Sequence, residues 1–112
     1  MRVNNTILAV VLFAVFIGCG GEQASNTVTT PTIQCGMCQK TIEDGLKKIS
    51  GVTAVTVDLK TKTTRVTYDI QKTDIGKIEK IISSLGYQAN ETQADPFVYD
   101  ALPDCCKVSG GQ

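Results

Sequence analysis

The sequence predicts an α+β domain whose elements run in the order β-α-β-β-α-β. Three observations carry that prediction. Two stretches place their apolar residues at helical period, two shorter ones alternate at the period of a strand, and the two halves echo each other. In the echo, Ile49-Ser50-Gly51-Val52 and Ser84-Leu85-Gly86-Tyr87 each set a glycine after a helical run and an apolar or aromatic residue after the glycine.

Residues 28–34 read as a weak, threonine-rich strand. Pro31 has no N–H to give to a ladder, so good pairing is expected only from about Thr32. From Cys38 the period becomes helical: Cys38, Ile42, Leu46 and Ile49 make one apolar stripe, with Lys40, Glu43, Lys47 and Lys48 off it. Ser50-Gly51 ends this helix, because glycine enters the left-handed conformation without a Cβ penalty. Val55, Val57 and Leu59 alternate with Thr56 and Asp58 as a strand, residues 60–62 turn, and Thr64, Val66 and Tyr68 give the partner strand of a hairpin. Thr73 or Asp74 caps a second helix with Ile75, Ile78, Ile82 and Leu85 as its stripe, and Gly86 closes it. Residues 87–92 are expected as a last short strand.

Two amphipathic helices need an apolar face to cover, and right-handed crossovers then give a split βαβ, or ferredoxin-like, sandwich. The expected fold is a four-stranded antiparallel sheet with two helices on one face, plus a short C-terminal extension. In that extension, residues 94–112, Asp95 caps a helix with Pro96 at its first position, Leu102-Pro103 stops it and Cys105-Cys106 follows.

The N-terminal residues have a different character. Arg2 is followed by an unbroken eleven-residue apolar run from Ile7 to Ile17. That is too short for a helix crossing roughly 30 Å of hydrocarbon, which takes about 20 residues, but it suits the centre of a secretory signal. Phe16-Ile17-Gly18-Cys19 then resembles the lipobox of bacterial lipoproteins, with Phe16 in place of the usual leucine. The resemblance implies cleavage after residue 18, lipidation of Cys19, and attachment to a membrane through the lipid. Residues 19–27 read as a flexible tether to a domain spanning 28–93. The expected location is the cell envelope, on the periplasmic face of a bacterial membrane or at the cell surface.

Composition narrows the chemistry. The chain has 11 basic and 11 acidic residues, with no basic stripe, which argues against nucleic acid as a partner. It contains no histidine, so the commonest general base and every imidazole ligand are missing. Sulfur remains. Cys35-Gly36-Met37-Cys38 is a CxxC between an expected strand and an expected helix, where two thiolates reach one ion. Cys38 is expected at the positive end of the helix dipole, which favours its thiolate. Thiolates select Cu(I), zinc or other thiophilic ions over magnesium and calcium.

Residues 32–92 resemble the heavy-metal-associated domain, the family of copper chaperones, copper-ATPase metal-binding modules and periplasmic mercury-binding proteins. The resemblance rests on Ile33-Gln34-Cys35-Gly36-Met37-Cys38, on the element order, and on Leu85-Gly86-Tyr87 before the last strand. Ile33 stands where the family has methionine. The resemblance implies a non-enzymatic protein that binds, sequesters or transfers a soft metal ion through Cys35 and Cys38. Cu(I) is favoured, with Hg(II) or Zn(II) as alternatives, and a metal transporter or metal-accepting protein is the implied partner. Tyr87 falls beside the metal site as a tuning residue or a plain core residue, and Met37 is a weak third sulfur or simply an exposed loop side chain.

Cys105 and Cys106 lie outside the family pattern. They admit three readings: extra metal ligands, disulfide partners, or a relay that passes metal to and from Cys35 and Cys38. Two other readings of the CxxC stay open: a thiol–disulfide redox protein in which Cys35 attacks and Cys38 resolves, and a structural domain with a disulfide staple. The redox reading lacks a thioredoxin-like pattern and a proline inside the CxxC.

Overall fold

The computed structural model describes residues 22–108. The expected signal segment, the cleavage site and Cys19 lie outside the described residues. Within them, β1 (Gln23–Thr29), α1 (Gly36–Lys47), β2 (Val52–Asp58), β3 (Thr63–Asp69), α2 (Ile75–Ser84) and α3 (Pro96–Ala101) follow in order, and a 3₁₀ turn, Asp104–Cys106, is the last regular element among the described residues.

Both expected helical stripes face the core, with Ile49, Ile75 and Leu85 at their ends partly buried. Cys38, Ile42 and Leu46 face inward from α1, and Ile78 and Ile82 from α2. They meet the inward residues of the sheet: Val28 on β1, Val57 on β2, and Thr64, Val66 and Tyr68 on β3. Each large aliphatic side chain removed from water in this way contributes about 1.5–3 kcal/mol. The helix caps follow from sequence. Asp74 accepts from the Lys77 amide at 2.9 Å, and Gly51 and Gly86 take φ values of 99° and 100° after the two helices. The expected start of α1 moves, however. The helix begins at Gly36 with Cys35 as its N-cap, and it ends at Lys47 instead of running to Ile49.

The sheet departs from expectation at two places. Three strands form it, in the order β1-β3-β2, all antiparallel. Residues 23–27, read from sequence as tether, are strand: Gln23 to Thr27 pair with Asp69 to Arg65. Their polar side chains are largely exposed, so the strand is made by the ladder and not by an apolar face. The residues expected to pair, after Pro31, instead form a turn and a loop.

The expected fourth strand over residues 87–92 reduces to one isolated bridge, Ala89 to Thr92. Asn90 has a φ of 50°, which folds the segment into a turn. It stays beside β1 through Asn90, whose amide donates to the Thr29 carbonyl at 2.8 Å and whose Oδ1 accepts from the Thr29 amide at 2.8 Å. One backbone and one side-chain hydrogen bond to Thr29 thus stand where a ladder was expected.

The extension folds back over the domain. Asp95 caps α3, accepting from Phe97 at 3.0 Å and Val98 at 3.3 Å, with Pro96 as the first helical residue, as read from sequence. Its amide donates to Ser83 at 3.0 Å, which ties the arm to the end of α2. Leu102 packs on Gly86, where a Cβ would meet its side chain at 3.2 Å. Gly86→Ala therefore meets both a left-handed backbone and the Leu102 side chain. Denaturant unfolding of the metal-free protein should show a loss of about 1–2 kcal/mol from the backbone alone, and an unchanged midpoint would contradict the packing described.

Candidate metal centre

Four thiols gather at the N-terminus of α1. Cys35 has extended backbone geometry, with φ −149° and ψ 176°, as the residue that enters the helix. The amides of Cys38 and Gln39 donate to its carbonyl at 3.0 and 3.2 Å, so the turn of the CxxC is the first turn of the helix. Ile33 anchors the preceding loop by complete burial. Cys35 is half-buried and Met37 exposed, while Cys38 points into the core.

The Sγ atoms of Cys35 and Cys38 are 3.7 Å apart. The arm brings two more thiols to the same place. Cys105 Sγ is 2.9 Å from Cys35 Sγ, and Cys106 Sγ is 3.8 Å from Cys35 and 3.8 Å from Cys105. Met37 Sδ is 3.7 Å from Cys105. A metal–sulfur bond of about 2.3 Å sets tetrahedral sulfur–sulfur separations of about 3.8 Å, so most of these spacings are already those of a shared ion. The donor set is entirely sulfur and suits a soft ion.

Electrostatics single out Cys35. The side-chain contact with Cys105 is the largest influence on its thiol, which is lowered to about 6. The amides of Cys38 and Met37 at the helix terminus act in the same direction, although neither forms a regular capping hydrogen bond. The helix terminus thus favours the Cys35 thiolate. The same contact raises Cys105, and burial raises Cys106, with Cys38 as its next largest influence. Tyr87 is completely buried, with its hydroxyl beside the thiols of Cys38 and Cys106; burial first, then those thiols, raise it. That hydroxyl makes no well-formed hydrogen bond among the described residues.

Residues 27–88 match the profile of the heavy-metal-associated domain. The chain belongs to the heavy-metal-associated domain family. Among relatives, a periplasmic component of mercuric transport from Shewanella putrefaciens is 33% identical over 82 residues, covering 71% of this chain and 90% of that protein. A copper-exporting P-type ATPase from Bacillus subtilis is 35% identical over 74 residues, covering 66% of this chain and 9% of the ATPase. The chain therefore spans about a tenth of the ATPase's length and most of the mercuric transport component's. Among solved structures, oxidized MerP from Ralstonia metallidurans CH34 superposes with a TM-score of 0.59 at 29% identity, over 62% of this chain and 96% of that one. The CopZ metallochaperone gives 0.58 at 27% identity, over 59% and 98%.

Set against this heavy-metal-associated domain, the structure places every sequence-predicted site residue among the described residues in one neighbourhood; Cys19 lies outside the described residues. Sequence reasoning missed Leu102, read only as a helix stop. An apolar residue directly before Pro103, at the end of a short polar-flanked helix, was the available signal that the arm docks. In the metal-free reduced protein, alkylation of Cys35, followed by peptide mass spectrometry, should titrate at a pH of about 6. Cys105→Ala should move it up towards the ordinary thiol range of about 8.5; an unmoved profile would remove Cys105 as the cause.

Proposed function

We propose that this protein binds a soft, thiophilic metal ion through the thiolates of Cys35 and Cys38 and holds or transfers it at the cell envelope. The observation that carries the reading is the pair itself: two sulfurs 3.7 Å apart, one at a helix N-cap with a lowered thiol and one anchored in the core. Cu(I) is the favoured cargo, with Hg(II) or Zn(II) as alternatives, since the chain has no histidine and the family relatives are named for copper export and mercuric transport. The protein acts by ligand exchange without catalysing a reaction, and its partner is a metal transporter or metal-accepting protein.

The residues divide the work. Cys35 is half-exposed and accepts or releases the ion, while buried Cys38 supplies a fixed second sulfur. Tyr87 closes the inner side of the pair, and its position beside Cys38 supports a tuning role. Met37 lies outside, near Cys105, as an adjustable sulfur and not an obligatory ligand. Lipidation of Cys19 sets the envelope location, since two or three acyl chains hold a protein stably on a membrane. The described residues contain no helix long and apolar enough to cross one.

Anaerobic competition against a chromophoric Cu(I) chelator tests this reading. Losing even an outer partner of a metal ligand costs 10–100-fold in affinity, so Cys35→Ser/Cys38→Ser should weaken binding by more than roughly 100-fold. Equal binding by that variant would refute the site. A redox enzyme would instead reduce insulin disulfides with turnover, and no turnover is expected.

A further inference from the structure

We propose that the C-terminal arm is a built-in metal acceptor: Cys35, Cys105 and Cys106 form a second, three-thiolate site for the same soft ion, with Cys35 shared between the two sites. The proposal rests on the reading of Cys35 and Cys38 as a soft-metal pair.

The convergence of these thiols follows from how the arm is docked, independently of sulfur. Leu102 sits on Gly86, and the Asp95 amide is bound to the end of α2. Tyr99 Oη accepts from the Val108 amide at 2.9 Å, which ties together the chain on either side of the cysteines. The Cys106 amide donates to Pro103 at 2.8 Å, closing the 3₁₀ turn that carries both thiols. Packing accounts for Cys106, which is 1% exposed and fills the core like a small apolar residue. It does not account for Cys105. That side chain is exposed and still lies against Cys35.

The three Sγ atoms of Cys35, Cys105 and Cys106 all lie within 4.8 Å of one another. Two of the three spacings, both 3.8 Å, match those around a common ion. The third, Cys35 to Cys105, opens by about 1 Å to admit one, a displacement that the exposed Cys105 side chain accommodates. Cys38 lies on the buried side, 3.7 Å from Cys35 and neighbouring Cys106, but outside the group of three whose sulfurs are all within 4.8 Å of one another.

Sharing Cys35 gives a path within one molecule. An ion on Cys35 and Cys38 gains bonds to Cys105 and Cys106 and loses its bond to Cys38. Two thiol protons pass to water, the Cys38 thiolate takes one up, and the oxidation state of the ion is unchanged. Three thiolates hold the ion more firmly than two. An acceptor with two thiols of its own must then displace the arm before it takes the metal, so the arm favours retention.

Hg(II) serves as the probe, bound at one equivalent to the full reduced chain in detergent, with Cys19→Ser in every sample to remove the fifth thiol. X-ray absorption counts the sulfurs, and the thiolate-to-mercury charge-transfer bands report the same change. Three sulfurs are expected in the parent, two in Cys105→Ser/Cys106→Ser, and three in Cys38→Ser. Cys105→Ser alone, which disturbs no buried group, should also fall to two. Two sulfurs in the parent, or a Cys38→Ser variant that loses a sulfur as the arm variants do, would overturn the second site while leaving the Cys35–Cys38 pair standing. A parent that fails to bind Hg(II) tightly would overturn both.

Discussion

The seating of α1 on the sheet determines where each sulfur can stand. Cys38, Ile42 and Leu46 bury one stripe of this helix, which fixes its rotation and therefore the direction of its first turn. With that rotation set, Cys38 must face the core and Cys35, at the N-cap, must face the surface. Ile33 holds the strand-side end of the loop and Tyr87 fills the space behind Cys38. Loosening this stripe would separate the pair before any sulfur was changed.

The arm depends on the same frame. Gly86 ends α2 in a left-handed conformation and leaves room for Leu102, so the chain returns over the end of the domain towards α1. Its thiols then meet an existing helix terminus. Cys105 supports the thiolate of Cys35, and that charge is what a soft cation seeks. At the proposed envelope location free thiols tend to pair with one another, and an oxidised pair binds no metal. A bound ion protects the thiols it occupies, which suits a protein that retains its cargo.

Much of this was legible in the residues. The stripes of α1 and α2, the alternation of Val55 and Val57 with their neighbours, and the CxxC at a helix start all obey local periodicity, which sequence carries directly. The first strand was not legible. Gln23 to Thr27 have no apolar face, and only the free edge of β3 makes them a strand. The missing fourth strand has the opposite cause: the sequence over residues 87–92 allows pairing, but the turn at Asn90 and its side-chain link to Thr29 replace the ladder. The meeting of Cys105 and Cys106 with Cys35, about 70 positions earlier, is a tertiary fact. Sequence offered it only as one of three readings, because loop length bounds the reach of an arm and not its direction.

The central claim is that Cys35 is the common ligand of whatever soft ion this protein carries. Residue-resolved alkylation of the reduced chain, with and without one equivalent of Cu(I), tests it directly. The account predicts that Cu(I) abolishes labelling of Cys35 in the parent, in Cys38→Ser and in Cys105→Ser/Cys106→Ser alike. Labelling of Cys35 that proceeds equally fast with and without Cu(I) would contradict it.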